Sequence, residues 1–140
     1  FVILILFVGL FAGKKIGLIL GLIFGILIDL LIGKSIGISG ILLGAIGLIA
    51  EYCDKNFSKD SKLTIILMVI ISTFIYEVGI YAFTIIKDGI EIELWSFSKI
   101  MLIEMLYNSL LIIILYPLLH KLGYAMENVF KSKTIMTRYF

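Results

Sequence analysis

Four polar side chains stand inside long apolar runs of this sequence: Asp29, Glu77, Glu104 and Asn108. Carboxyl groups so placed can hydrogen-bond between helices, hold a solute or bind a partner's helix, and no Lys or Arg lies mid-run to neutralise them. At ~1.5 Å per helical residue, Asp29 lies ~5 Å, Glu104 ~8 Å, and Glu77 and Asn108 ~14 Å from the same end of their runs. Thr73, Glu77, Tyr81 and Thr84 share one helical face, and Glu104 and Asn108 are one turn apart. The four groups can therefore converge. Such a cluster serves as an inter-helix hydrogen-bond network, as the lining of a solute site, or as a contact for a partner's membrane helix.

Other motifs lead away from catalysis. Gly33-Lys34-Ser35 has the end of a phosphate-binding loop, but Ile28 occupies the position of its first glycine and no strand precedes it, so it reads as a turn. His120 has no second ligand at metal spacing. Cys53 is the single cysteine and reads as a reduced thiol. Asn56-Phe57-Ser58 fits a glycosylation pattern but falls in a loop expected to face the cytoplasm. Nothing arranges a nucleophile with a base and an orienting group. The sequence predicts no enzyme, no cofactor and no metal.

The elements that must carry the polar groups are membrane helices. At 61% hydrophobic and 16% charged residues the chain lies far from soluble domains, which run about 45–50% apolar and about 25% charged. Its apolar runs are continuous rather than alternating, which favours helices over a barrel. The fold class expected is all-α, a polytopic helical membrane bundle forming one domain over 1–140. Helices are predicted at about 1–12, 16–32, 36–50, 63–86 and 99–122. Phe1 already lies in an apolar run, so the reading expects a further helix before it, with five spans here and six in the complete protein. The second helix carries Gly17, Gly21 and Gly25 every fourth residue, a row that Asp29 and Gly37 continue, and Gly40 and Gly44 follow on the third. Glycine inside a helix costs roughly 0.5–1 kcal/mol relative to alanine, so such a row is expected to be a helix-packing seam.

Three polar segments separate or follow these helices. Residues 51–62 read as a cytoplasmic loop, 88–98 as an extracytoplasmic interfacial segment ending in Trp95 and Phe97, and 123–140 as a cytoplasmic tail. Pro117 is expected to kink or end the last helix. Alternating helices put Lys14, Lys15, Lys55, Lys59, Lys62, Lys121, Lys131, Lys133 and Arg138 on one side, against Lys34, Lys87 and Lys99 on the other. The positive-inside bias makes the first side, and the C-terminus, cytoplasmic. The net charge of +2, spread over segment ends, carries no nucleic-acid footprint.

Two stretches add a resemblance. GLIFGILIDLLIGKSIGISGILLGAIG, residues Gly21 to Gly47, and EMLYNSLLIIILYPLL, Glu104 to Leu119, resemble the rod shape-determining membrane protein MreD family. Asp29-Leu30-Leu31 followed by Gly33 and Gly37 is similar to that family's acid-leucine-leucine turn, and Tyr107-Asn108 with Tyr116-Pro117 to its late helix. The resemblance implies a non-enzymatic subunit of the machinery that elongates the bacterial side wall, in the cytoplasmic (inner) membrane. The implied partners are MreC, the MreB filament, the glycosyltransferase RodA and a penicillin-binding transpeptidase. It brings no catalytic residues. A rival reading is the substrate-binding membrane subunit of a vitamin transporter, with Asp29, Glu77, Glu104 and Asn108 lining a pocket.

Overall fold

The computed structural model describes residues 1–32, 36–56, 61–89 and 93–139, with side chains except at 54, 55 and 130–139. Among the described residues there are five helices and no strand: α1 (Val2–Ala12), α2 (Lys14–Ile32), α3 (Ile38–Asn56), α4 (Lys62–Asp88) and α5 (Leu94–Tyr139). Three of them, Lys14–Ile32, Lys62–Asp88 and the Leu94–Val129 part of α5, are long and apolar enough to cross a membrane. Val2–Ala12 and Ile38–Cys53 are shorter apolar helices packed among them. The protein is an all-α membrane bundle.

Helix α1 has no polar side chain, and a helix apolar on every side belongs inside a bundle. Every residue from Val2 to Ala12 is buried except Leu4. Around Ile5, Leu6, Leu10 and Phe11 the core collects Leu43, Ile46 and Ala50 of α3, Ile65, Met68 and Val69 of α4, and Ile112 of α5. Gly13 ends α1 at φ 99°, a conformation closed to most side chains, and lets α2 fold back against it. Outside this core the exposed apolar side chains are mostly leucine and isoleucine, as suits contact with lipid tails.

The most extensive interface is the antiparallel pair α2–α3. Only Gly17, Gly21, Gly25 and Asp29 are buried on α2, so the whole helix meets the bundle along one row. A Cβ placed on Gly25 would overlap the backbone of Gly40, and one on Gly21 would lie 2.6 Å from the Leu43 carbonyl. One on Gly47 would lie 2.5 Å from the carbonyl carbon of Gly17. Gly9 of α1 joins the same crossing, its would-be Cβ 2.7 Å from the Gly47 carbonyl oxygen. Three backbones thus meet at Gly9, Gly17 and Gly47, with the Ala50 methyl beside them.

At its C-terminal end the bundle departs from expectation. Helix α5 does not end at Pro117 but runs through it to Tyr139, so the segment expected to be a tail is helical, as are Leu94 to Ser98. Proline removes one backbone hydrogen bond and crowds the preceding turn. Here the turns on either side are held by rings: Tyr116 lies 5.2 Å from His120, His120 lies 4.6 Å from Tyr124, and Phe11 of α1 lies 5.4 Å from Tyr124. The Phe11 ring also covers Gly123, where a Cβ would sit 2.5 Å from it. Helix α3 likewise runs on to Asn56, through the start of the expected loop, while the glycosylation pattern's Phe57 and Ser58 lie outside the described residues.

Candidate functional site: a polar layer at one end of the bundle

The polar layer begins with Asp29, near the last turn of α2 and only 7% exposed. Its Oδ2 accepts hydrogen bonds from the backbone N–H of Gly37 at 2.8 Å and of Ser39 at 3.1 Å. These N–H groups open α3, where the first turn of a helix has no internal acceptors and carries the positive end of the dipole. Gly37, at φ 102°, turns the chain into that position. Nothing lies within 4 Å of a Cβ built on Gly37, so it stands outside the glycine contact that Gly17, Gly21, Gly25 and Gly40 make. Gly44 lies on the contact face with ordinary clearance, 3.5 Å from the Leu22 side chain.

A mirror arrangement holds the other end of the hairpin. The carboxylate of Glu51, late in α3, accepts a hydrogen bond from the backbone N–H of Lys14, the first residue of α2. Each helix of the pair therefore lends an acid from its C-terminal part to the N-terminus of the other. Glu51 reads in sequence as the first residue of a loop, and its spacing from Lys14 gives no local clue to this bond.

From Asp29 the layer passes to α4. The Tyr76 hydroxyl donates to Ser39 Oγ at 3.3 Å, linking α3 to α4. The neighbouring Glu77 meets Glu104 of α5 through a side-chain hydrogen bond. One turn deeper, Asn108 Nδ2 donates to Thr73 Oγ1 at 3.0 Å, while the Thr73 hydroxyl donates to the Val69 carbonyl at 2.8 Å. The layer thus joins α2, α3, α4 and α5. Of the face predicted on α4, Thr73 and Glu77 enter it. Tyr81 instead stacks on Phe97 at 4.0 Å between centroids, and the Thr84 hydroxyl turns back to the Ile80 carbonyl. Ser39 and Tyr76 escaped the sequence reading, the first hidden two residues into a helix and the second beside a more conspicuous acid.

Two cavities flank Tyr76. One of about 160 Å³ is lined by Asp29, Ser39, Tyr76, Glu77 and Thr84 with apolar neighbours. The other, about 350 Å³, lies between Phe1, Val2 of α1, Ile28 and Ile32 of α2, and Thr73, Tyr76, Glu104, Tyr107 and Asn108. Among the described residues no group of three His, Cys, Asp or Glu side chains is placed to hold a metal ion.

A bundle of apolar helices in which a buried acid caps a neighbouring helix and polar side chains join neighbours is a multi-pass membrane protein. The family model described as rod shape-determining protein MreD matches residues 1–125, and the chain belongs to that family. It is a rod-shape-determining membrane protein, and the family suggests membership of the rod-shape complex. No curated protein and no solved structure matches the chain. The transporter-subunit reading is left without support.

Proposed function

We propose that this chain is a non-enzymatic membrane subunit of the complex that elongates the bacterial side wall. It would regulate cell shape and peptidoglycan synthesis through helix–helix contacts with MreC, RodA and a penicillin-binding transpeptidase, and through cytoplasmic contact with MreB. The observation that carries this reading is how the polar groups are engaged. Asp29 and Glu51 bond to helix N-termini, Asn108 to Thr73 and Glu77 to Glu104, all of which brace the bundle, while the length of α5 carries large exposed apolar residues. Depletion of the protein is expected to give rounded, swollen cells. A depleted strain that keeps its rod shape would overturn the proposal.

In the same reading the polar layer faces outward and the C-terminus lies in the cytoplasm, on the charge bias of the loops. Cys53, the single thiol, is half-buried near the cytoplasmic end of α3. A membrane-impermeant thiol reagent is expected to leave it unmodified in intact cells and to label it once the membrane is opened. Labelling from outside would reverse the orientation.

A further inference from the structure

Helix α5 carries polar groups on a surface where lipid would otherwise lie. Glu104 is exposed and Tyr107 is 61% exposed, one turn apart on a ridge completed by Ile100, Ile103, Leu110 and Ile114, all exposed. Trp95, 74% exposed in the first turn, is the residue type that settles at the membrane–water boundary. Measured from it along the helix, Glu104 is ~13 Å deeper and Tyr107 ~18 Å deeper, in a hydrocarbon layer about 30 Å thick. Acyl chains offer no hydrogen bond at that depth, and an acid there costs on the order of 2.5–3.5 kcal/mol on insertion scales. Tyrosine, too, collects at the boundary rather than near the midplane.

The ridge borders the cavity of about 350 Å³ floored by Thr73, Tyr76 and Asn108 and walled by Ile28 and Ile32. Among the described residues neither Lys nor Arg lines it, and α5 has none between Lys99 and Lys121. A second copy packed on the same ridge would bring Glu104 against Glu104, so self-association offers no counter-charge. We propose that the ridge Ile100–Ile114 and its cavity receive a transmembrane helix of a different protein, one that carries a Lys or Arg at the depth of Glu104. The apolar ridge residues pack along that helix, and its cation reaches the Glu104 carboxylate. This deepens the proposed role as a subunit that works through helix contacts, and rests on it.

The test is a photo-reactive amino acid at Ile103, beside the acid, in otherwise intact protein in its native membrane. The expected product is one cross-link to another protein's membrane span, mapped to within a turn of a Lys or Arg. Combining the probe with Glu104→Gln, which keeps size and removes the charge, is expected to lower the cross-link about tenfold or more at equal membrane abundance. Cross-linking to a second copy, to lipid alone, or to a span without a basic residue overturns the inference, and these outcomes need no variant to fold. An undiminished cross-link in Glu104→Gln overturns it as well. Cell shape separates the two proposals: if depletion leaves rods, the functional reading fails. If depletion rounds the cells but Glu104→Gln restores rods with its cross-link intact, only the docking inference fails.

Discussion

The pair α2–α3 and the pair α4–α5 are both antiparallel helices in lipid, yet they are joined by opposite means. Between α2 and α3 the glycines remove side chains, so Gly17, Gly21 and Gly25 set backbone on backbone against Gly47, Leu43 and Gly40. Dispersion between close backbones and the two carboxylate caps then hold the pair. Between α4 and α5 the contact is made by side chains, through the hydrogen bonds of Asn108 to Thr73 and Glu77 to Glu104 and the stacking of Tyr81 on Phe97. From Phe74 onward no described residue of α4 is buried, and the cavities lie beside that half. A backbone contact has one geometry and tolerates nothing added, whereas a side-chain contact can open and be remade. The first suits a fixed frame and the second an adjustable surface.

The largest effect is expected where the frame is closest. Gly25→Leu puts a side chain where the backbone of Gly40 lies, and no rotamer can move backbone away, so a loss of about 3 kcal/mol or more is expected. The readout is the amount of folded protein in the membrane. Gly44→Ala, with its 3.5 Å clearance, is the matched control and should accumulate normally. If Gly25→Leu accumulates like the parent, the contrast between the pairs fails at its strongest point.

Removing the caps should cost less. Asp29→Ala leaves the N–H groups of Gly37 and Ser39 without their acceptor and is expected to cost about 1–2 kcal/mol; Glu51→Ala frees one N–H and should cost about 0.5–1 kcal/mol. The two sit at opposite ends of the hairpin, so their effects in thermal unfolding should add within about 0.5 kcal/mol. Strong non-additivity would mean the hairpin does not respond as two independent ends.

The smallest effect belongs to the adjustable pair. A cycle of Asn108→Leu and Thr73→Val should give a coupling of about 0.6 kcal/mol, the usual worth of one interhelical side-chain bond in a bilayer. A coupling as large as the Gly25→Leu loss would make α4–α5 as fixed as α2–α3.

The sequence displays these two pairs unequally. A four-residue glycine period defines a helix face whatever surrounds it, so Gly17, Gly21 and Gly25 can be placed on one face from spacing alone. What meets that face is a tertiary matter, as Gly9 from α1 illustrates. Asp29 stands out in sequence as an acid among leucines, which suggests a link to other intramembrane polar groups. Its bonds go instead to backbone N–H groups of α3, donors every residue possesses and no sequence pattern marks. At Pro117 the local rule allows a kink or an end, and the helix does not end there: next to it the Phe11 ring packs on His120, Tyr124 and Gly123, contacts that only the folded chain provides. Glu77 and Glu104 announce themselves as costly; that they bond to each other depends on how α4 crosses α5.

The burial of α1 has a consequence in time. Its last aromatic, Phe11, is covered by Gly123 and Tyr124, which leave the ribosome after nearly all of the described chain. Until then the one helix with no polar face has part of its surface turned to lipid, and the glycine crossing at Gly9 can form while the opposite side stays open. Of these five helices the earliest made is therefore the last enclosed, and a chain stalled before Gly123 would carry a complete α2–α3 hairpin on an unfinished centre.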